Sequence, residues 1–203
     1  MRKILNDSPW AKRIEIEGGG KRAGMESREG SDTSEGDAGG ESGEGGGRGE
    51  DNERGRITFV IRWASSRTMR QAWVRGAVLQ KRISETDTDK FLPRPSDDVQ
   101  LLIVGRDMSL FEKVDEATLR AKSSLYRTKS KQRISPSAVY IMYLTDRKRI
   151  KGILFHFPKE RLVGQSMQSI DDSDLKFVTQ AGATEIKTSF DLQKMVDNEG
   201  IDL

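Results

Sequence analysis

Ile57-Thr58-Phe59-Val60-Ile61-Arg62-Trp63 is β-branched or aromatic at almost every position, the composition of a pleated, largely buried strand. Ser65 and Ser66 follow with hydroxyls suited to cap a helix. Beyond them Met69, Ala72, Trp73, Gly76, Leu79 and Ile83 recur every three or four residues and predict one apolar helix face over 66–83. Arg67, Arg70, Gln71, Lys81 and Arg82 fall largely on the other face. Val99-Gln100-Leu101-Leu102-Ile103-Val104 is a second apolar strand. Strand, helix and strand over 56–107 build a core and specify no chemistry.

Working outward toward the N-terminus, residues 18–55 differ sharply from this core. The segment holds 14 of the 20 glycines, no aromatic residue, and ten acids against five bases. Such a chain cannot bury enough apolar surface to offset its ordering entropy, so the composition predicts a disordered Gly/Glu/Ser-rich insertion. Long loops add closure cost only slowly, so a fold tolerates one between two strands. Gly45-Gly46-Gly47-Arg48-Gly49 is poor support for a nucleic-acid tract, with one arginine in acidic surroundings. Of the net charge of +3, the insertion carries −5, which leaves +8 on the remaining residues. Residues 1–17 look structured: Met1–Leu5 as a helix end, Asn6-Asp7-Ser8-Pro9 as a turn, and Lys12–Glu17 as an alternating strand. The organisation expected is thus 1–17 and 56–203 as one domain interrupted by 18–55.

Toward the C-terminus, Asp115–Arg120 predicts a short helix with acids in its first turn. Ala138–Leu144 and Ile150–Phe157 form a hairpin around Thr145–Arg149, with Ile153, Phe155 and Phe157 turned inward and His156 outward. Leu175–Gln180 and Thr184–Phe190 make a second hairpin, and Leu192–Val196 a short terminal helix before a frayed tail. The fold class expected is α+β: a mixed or mainly antiparallel sheet of about six or seven strands, with the one main amphipathic helix on one face.

Several short elements in order resemble an uncharacterised family of small, often exported bacterial proteins. They are Ser8-Pro9-Trp10-Ala11-Lys12, Arg62-Trp63 with Ser66-Arg67 and Arg70-Gln71-Ala72, His156-Phe157-Pro158, and Phe177-Val178-Thr179 through Phe190–Met195. The resemblance implies export and no assigned activity. A leader upstream of Met1 is therefore an expectation, since Met1–Leu5 has the character of a helix begun earlier. As written, the sequence shows no signal peptide at its start and no apolar run long enough to span a membrane.

Chemistry-bearing motifs are few. Gly20-Lys21 lacks the preceding glycine of a P-loop, and Gly164–Gln168 lacks the final glycine of a nucleophile elbow. Asp171–Asp174 and Glu85, Asp87 and Asp89 lack calcium-loop spacing and fit solvated turns. With one histidine and no cysteine, thiolate sites and disulfides are excluded, and a zinc site would rest on carboxylates. No catalytic, metal or cofactor residue is assigned.

One segment stands out: residues 120–151 carry ten Lys or Arg and a single acid, Asp146. Arg127, Lys129, Lys131 and Arg133 alternate so that on one strand all would project from the same side, and Arg147, Lys148, Arg149 and Lys151 cluster at the hairpin turn. Two accounts compete. Cations along an exposed edge strand deter strand-to-strand association. Alternatively these eight residues dock an anionic polymer, nucleic acid or a protein partner. The class expected is a non-enzymatic binding or structural module, at a cell envelope if the resemblance holds. A nucleic-acid- or polyanion-binding accessory protein is the alternative.

Overall fold

The structure is a computed structural model that describes residues 2–17, 56–92, 96–146, 148–163 and 173–203. The chain divides into one compact unit of Met1–Glu15 and Thr58–Leu203 and a second of Ile16–Ile57. The insertion assigned to 18–55 lies outside the described residues.

Helix α1 (Arg2–Asn6) leads into β1 (Ala11–Glu17), and β2 (Arg56–Trp63) follows the insertion. Next come α2 (Arg67–Leu79), α3 (Thr88–Phe91), β3 (Asp98–Gly105) and α4 (Glu116–Lys122). The chain continues through β4 (Ser124–Arg127), β5 (Arg133–Ile134), β6 (Ala138–Tyr143) and β7 (Ile150–Pro158). It ends with α5 (Lys159–Val163), β8 (Asp174–Ala181), β9 (Thr184–Asp191), β10 (Val196–Asp197) and β11 (Gly200–Ile201). Of these elements, only the end of β1 at Ile16 and Glu17 and the start of β2 at Arg56 and Ile57 fall in the second unit.

The α+β class holds, and the paired strands whose registers are resolved are antiparallel. The number and grouping of strands differ from the expectation of six or seven in one sheet. Among the described residues they form a five-stranded sheet in the order β1-β2-β3-β7-β6, a four-stranded sheet β5-β4-β8-β9, and the pair β10-β11.

Side-chain alternation explains why two sheets meet. Phe59, Ile61 and Trp63 of β2, Leu101 and Ile103 of β3, and Ile153, Phe155 and Phe157 of β7 are completely buried on one face of the larger sheet. Leu175 and Phe177 of β8 and Phe190 of β9 are equally buried on the smaller sheet. Aromatic edges join the two layers. Trp63 meets Phe190 at 5.2 Å between ring centroids, and Phe177 meets Phe155 at 5.3 Å and Phe157 at 6.2 Å. Such edge-to-face pairs add about 0.5–1.5 kcal/mol each beyond area burial.

Helix α2 is shorter and differently phased than its periodicity predicts. Ser66 caps its start by accepting from Met69 N at 3.2 Å. Its end is a Schellman closure: Arg82 N donates to Ala77 O and Lys81 N to Val78 O, with Lys81 left-handed at φ 56°. Ile83 therefore lies beyond the helix, and Leu79 is exposed while Arg70 is buried.

The C-terminal stretch also departs from expectation. A single 3-10 turn at Leu192–Lys194 replaces the terminal helix, and Asp202 and Leu203 are buried rather than frayed. Asp202 carboxylate oxygens accept from Arg67 N at 2.5 Å and Thr68 N at 2.9 Å, completing the cap of α2. Asp202 O accepts from the Trp10 indole at 3.2 Å, and Trp10 O accepts from Trp63 N. Trp10, Trp63, Arg67 and Asp202 thus form one structural joint between the start of β1, the end of β2, α2 and the C-terminal stretch.

Candidate functional site: a cationic sheet face

The basic segment does not form one strand. β4 ends at Arg127, Thr128–Gln132 turn back with Lys131 left-handed at φ 55°, and β5 begins at Arg133. The turn is closed by Arg127 N donating to Gln132 O at 3.0 Å, and it is tied to β8 by Thr128 N donating to Asp174 O. The four alternating cations consequently take different roles. The Arg127 guanidinium donates to Leu162 O in the last turn of α5. Lys129 and Lys131 ride on the exposed turn. Arg133 lies over the Tyr126 ring at 5.7 Å from its centroid, within cation–π range.

Pairing with β8 brings in cations from elsewhere in the chain. Tyr126 stands opposite Arg133 on β5 and opposite Lys176 on β8, so the three side chains form a row across three adjacent strands. Val178 of β8 pairs with Lys187 of β9 in the next row on the same face. The opposite face of β8 carries the buried Leu175, Phe177 and Thr179, which fixes this face as the outward one. Tyr126, Arg127, Thr128, Lys131, Lys176, Val178, Glu185 and Lys187 line an open groove of about 430 Å³. Four of these are cations and one is a carboxylate. Glu185 is engaged with Lys187 at 2.6 Å.

The second half of the predicted set lies on the other sheet, at the β6–β7 turn. Arg147 lies outside the described residues. Arg149 Nε binds Asp146 Oδ2 at 2.8 Å, and Asp146 Oδ1 accepts from the backbone N–H of Lys148 and Arg149. The Arg149 side-chain bond, aided by those N–H groups, pushes the Asp146 carboxyl down to about 2. Arg149 is therefore neutralised locally, while Lys148 and Lys151 are exposed. The seven described cations of the set, read as one surface in the sequence, divide between two sheets.

Other titratable groups are committed to structure. His156 Nδ1 lies 3.5 Å from Asp98 Oδ2 and the ring meets the Tyr140 edge at 5.3 Å. Ser137 Oγ lies 3.2 Å from His156 O, which accepts its proton, so the hydroxyl is aimed at backbone rather than imidazole. Glu112, Lys113, Asp115, Glu116, Ile141 and Tyr143 surround a second hollow of about 620 Å³ with Val114 and Ala117. Two of its carboxylates accept from backbone N–H groups. Asp115 accepts from Thr118 N at 2.7 Å, and the Thr118 side chain, aided by that N–H, lowers its carboxyl; Glu116 accepts from Ile141 N at 2.8 Å on the edge strand β6. Of the acidic turn at 85–89, Asp87 pairs with Lys90 at 2.8 Å. The motifs at 164–168 and 171–172 fall outside the described residues. Among the described residues, no three metal-ligating side chains gather, and no helix is long and apolar enough to cross a membrane.

Sequence inspection missed Lys176 and Lys187. Their outward direction was legible, because each alternates with buried neighbours across the hairpin closed at Gly182. Their proximity to Tyr126 was not, since it depends on the pairing of β4 with a strand about 50 residues later. No family model, curated protein or solved structure matches the chain.

Proposed function

We propose that this protein is a non-enzymatic binding module that holds an anionic polymer against the outward face of its four-stranded sheet. The observation that carries this is the position of Lys176. Edge protection accounts for cations on outer strands, but β8 is an interior strand, flanked by β4 and β9. Exposed charges contribute little to folding, so folding alone supplies no reason to gather Lys131, Lys176 and Lys187 around one groove. Four cations facing one carboxylate give the groove a positive potential that attracts and orients polyanions. The engagement of Asp115, Glu116, Asp191 and Asp202 as acceptors for backbone N–H groups supports a scaffold rather than an acid–base centre.

Retention on immobilised heparin or long-chain polyphosphate tests this. The wild-type protein is expected to bind at low ionic strength and elute with rising salt. Replacing Lys131, Lys176 and Lys187 with Gln should abolish retention and leave the melting temperature within about 2 °C. Undiminished retention in that variant would remove this face from the function. The matching change of Lys148 and Lys151 to Gln is the control for the other cluster.

A further inference from the structure

We propose that the polymer held by this face is single-stranded nucleic acid, with an unpaired base stacked on the Arg133–Tyr126 pair. The inference rests on the polyanion-binding reading and adds a selectivity that charge alone does not give. A polyanion without bases, such as polyphosphate, needs only cations. This groove places an aromatic ring at the centre of its cation row. Tyr126 stands in register between Arg133 and Lys176, on an interior strand of an antiparallel four-stranded sheet. The guanidinium lies over the ring at 5.7 Å, so the ring backs a guanidinium plane that itself offers a stacking surface. Aromatic rings and guanidinium planes are the surfaces on which splayed bases stack, and every base offers the required π-face.

The surrounding groups fit the remainder of a nucleotide strand. Lys176 lies beside Tyr126 on one neighbouring strand, and Lys187 lies one row along beside Val178. These two lysines lie beside the Arg133–Tyr126 pair rather than over it, where they suit the phosphates next to a stacked base. Val178 gives the sugar an apolar surface in the same groove. Duplex DNA fits poorly, because its bases already stack on one another and present no free π-face to a sheet. With Lys187 held by Glu185 at 2.6 Å, Lys131 and Lys176 are the principal phosphate contacts.

Fluorescence anisotropy separates this inference from its foundation. The full chain is titrated into labelled oligothymidylate of about 12 nucleotides, a matching duplex, and labelled polyphosphate of similar charge. The single strand is expected to bind at least about tenfold more tightly than either competitor. Tyr126→Ala should weaken single-strand binding about tenfold and leave polyphosphate binding unchanged, while Tyr126→Phe retains wild-type affinity. Substituting Lys176 with Gln should reduce the salt slope of single-strand binding by about 0.7, the value for one phosphate contact. A thermal melt of Tyr126→Ala distinguishes lost stacking from lost fold, and Tyr126→Phe keeps the ring-packing comparison available should Ala unfold. Equal binding of polyphosphate and oligothymidylate, with no difference between Tyr126→Phe and wild type on one side and Tyr126→Ala on the other, overturns the inference while sparing the polyanion reading. Preference for the duplex overturns it as well. Absence of binding to all three probes overturns both.

Discussion

Gly152 shows how tightly the larger sheet is packed at the level of one hydrogen atom. A Cβ at this position would lie 2.9 Å from Ile103 O, 3.1 Å from Val104 Cγ1 and 3.2 Å from Met142 Cε. The first of these is backbone of the paired strand β3, which cannot move without disturbing the Ile103–Ile153 register. Gly152→Ala is therefore expected to destabilise the protein by about 1–3 kcal/mol, although alanine is otherwise the better residue in a strand. Urea denaturation would read this as a lower midpoint with an unchanged slope. An unaltered midpoint would mean that β3 and β7 are farther apart than 2.9 Å allows. At the same scale, Arg127 teaches why alternation misled. Its place in the series with Lys129, Lys131 and Arg133 suggested a solvent-facing charge, yet its guanidinium is spent on the Leu162 carbonyl. Nothing in the local sequence announces an acceptor 35 residues away.

At the scale of elements, the strands were legible because each is written by its own residues. The alternation in Leu175–Gln180 and in Ile153–Phe157 survives folding, as do the short helix after Asp115 and both hairpins. Helix ends were less legible. The apolar spacing that reaches Ile83 is overridden by the Schellman closure at Lys81, a conformation more usual for glycine. The start of α2 was half legible: Ser66 was visible as a cap, but its second cap is Asp202, which lies 134 residues from Thr68. That carboxylate satisfies two first-turn N–H groups and places a negative charge at the positive end of the helix. Asp202→Ala is expected to cost about 1–2 kcal/mol, near the top of the range for cap removal because the site is buried. Asp202→Asn keeps an acceptor and should recover part of the loss. Chemical denaturation of both variants checks the order wild type, Asn, Ala; equal stability of Ala and wild type would remove the clamp from the account of α2.

At the scale of the whole molecule, the sequence could name the layers but not divide them. Inward-facing residues of β2, β3 and β7 and of β8 and β9 look alike in composition, so they fit one sheet of six or seven strands as readily as two. What separates them is the contact of Trp63 with Phe190 and of Phe155 and Phe157 with Phe177, all of it non-local. The same non-local pairing assembles the proposed binding face from β4–β5 and β8–β9. That face exists only through a topology that periodicity alone cannot provide.

Acid sensitivity is a whole-molecule property that follows from how the carboxylates are used. The carboxyls of Asp107, Asp115, Asp146, Asp191 and Glu199 are all held below their ordinary values by hydrogen bonds in the fold. Asp107 is lowered by Ser109, Asp115 by Thr118, Asp146 by Arg149, Asp191 by Lys194 and Glu199 by Arg67, in each case with the side-chain bond as the largest cause. A carboxyl with a lower pKa folded than unfolded stabilises the fold while ionised in both states. That contribution is complete above the unfolded values, 3.8 for aspartate and 4.5 for glutamate, and disappears as pH falls toward the folded ones, about 2 for Asp146. Stability should therefore hold level from about pH 7 to pH 5 and decline progressively between about 4.5 and 2. These groups are largely solvent-exposed, so water and salt screen the ion-pair share of each contribution. Added salt should flatten the part due to Arg67, Arg149 and Lys194. The part due to the side chains and backbone N–H groups of Ser109 and Thr118 is short-ranged and should persist. Urea midpoints measured from pH 7 to pH 2, at low and high salt, read both shares. A midpoint that rises on acidification from pH 5 would contradict the assigned direction of these shifts. A decline abolished by salt would show that the ion pairs, rather than the caps at Asp107 and Asp115, carry the acid response.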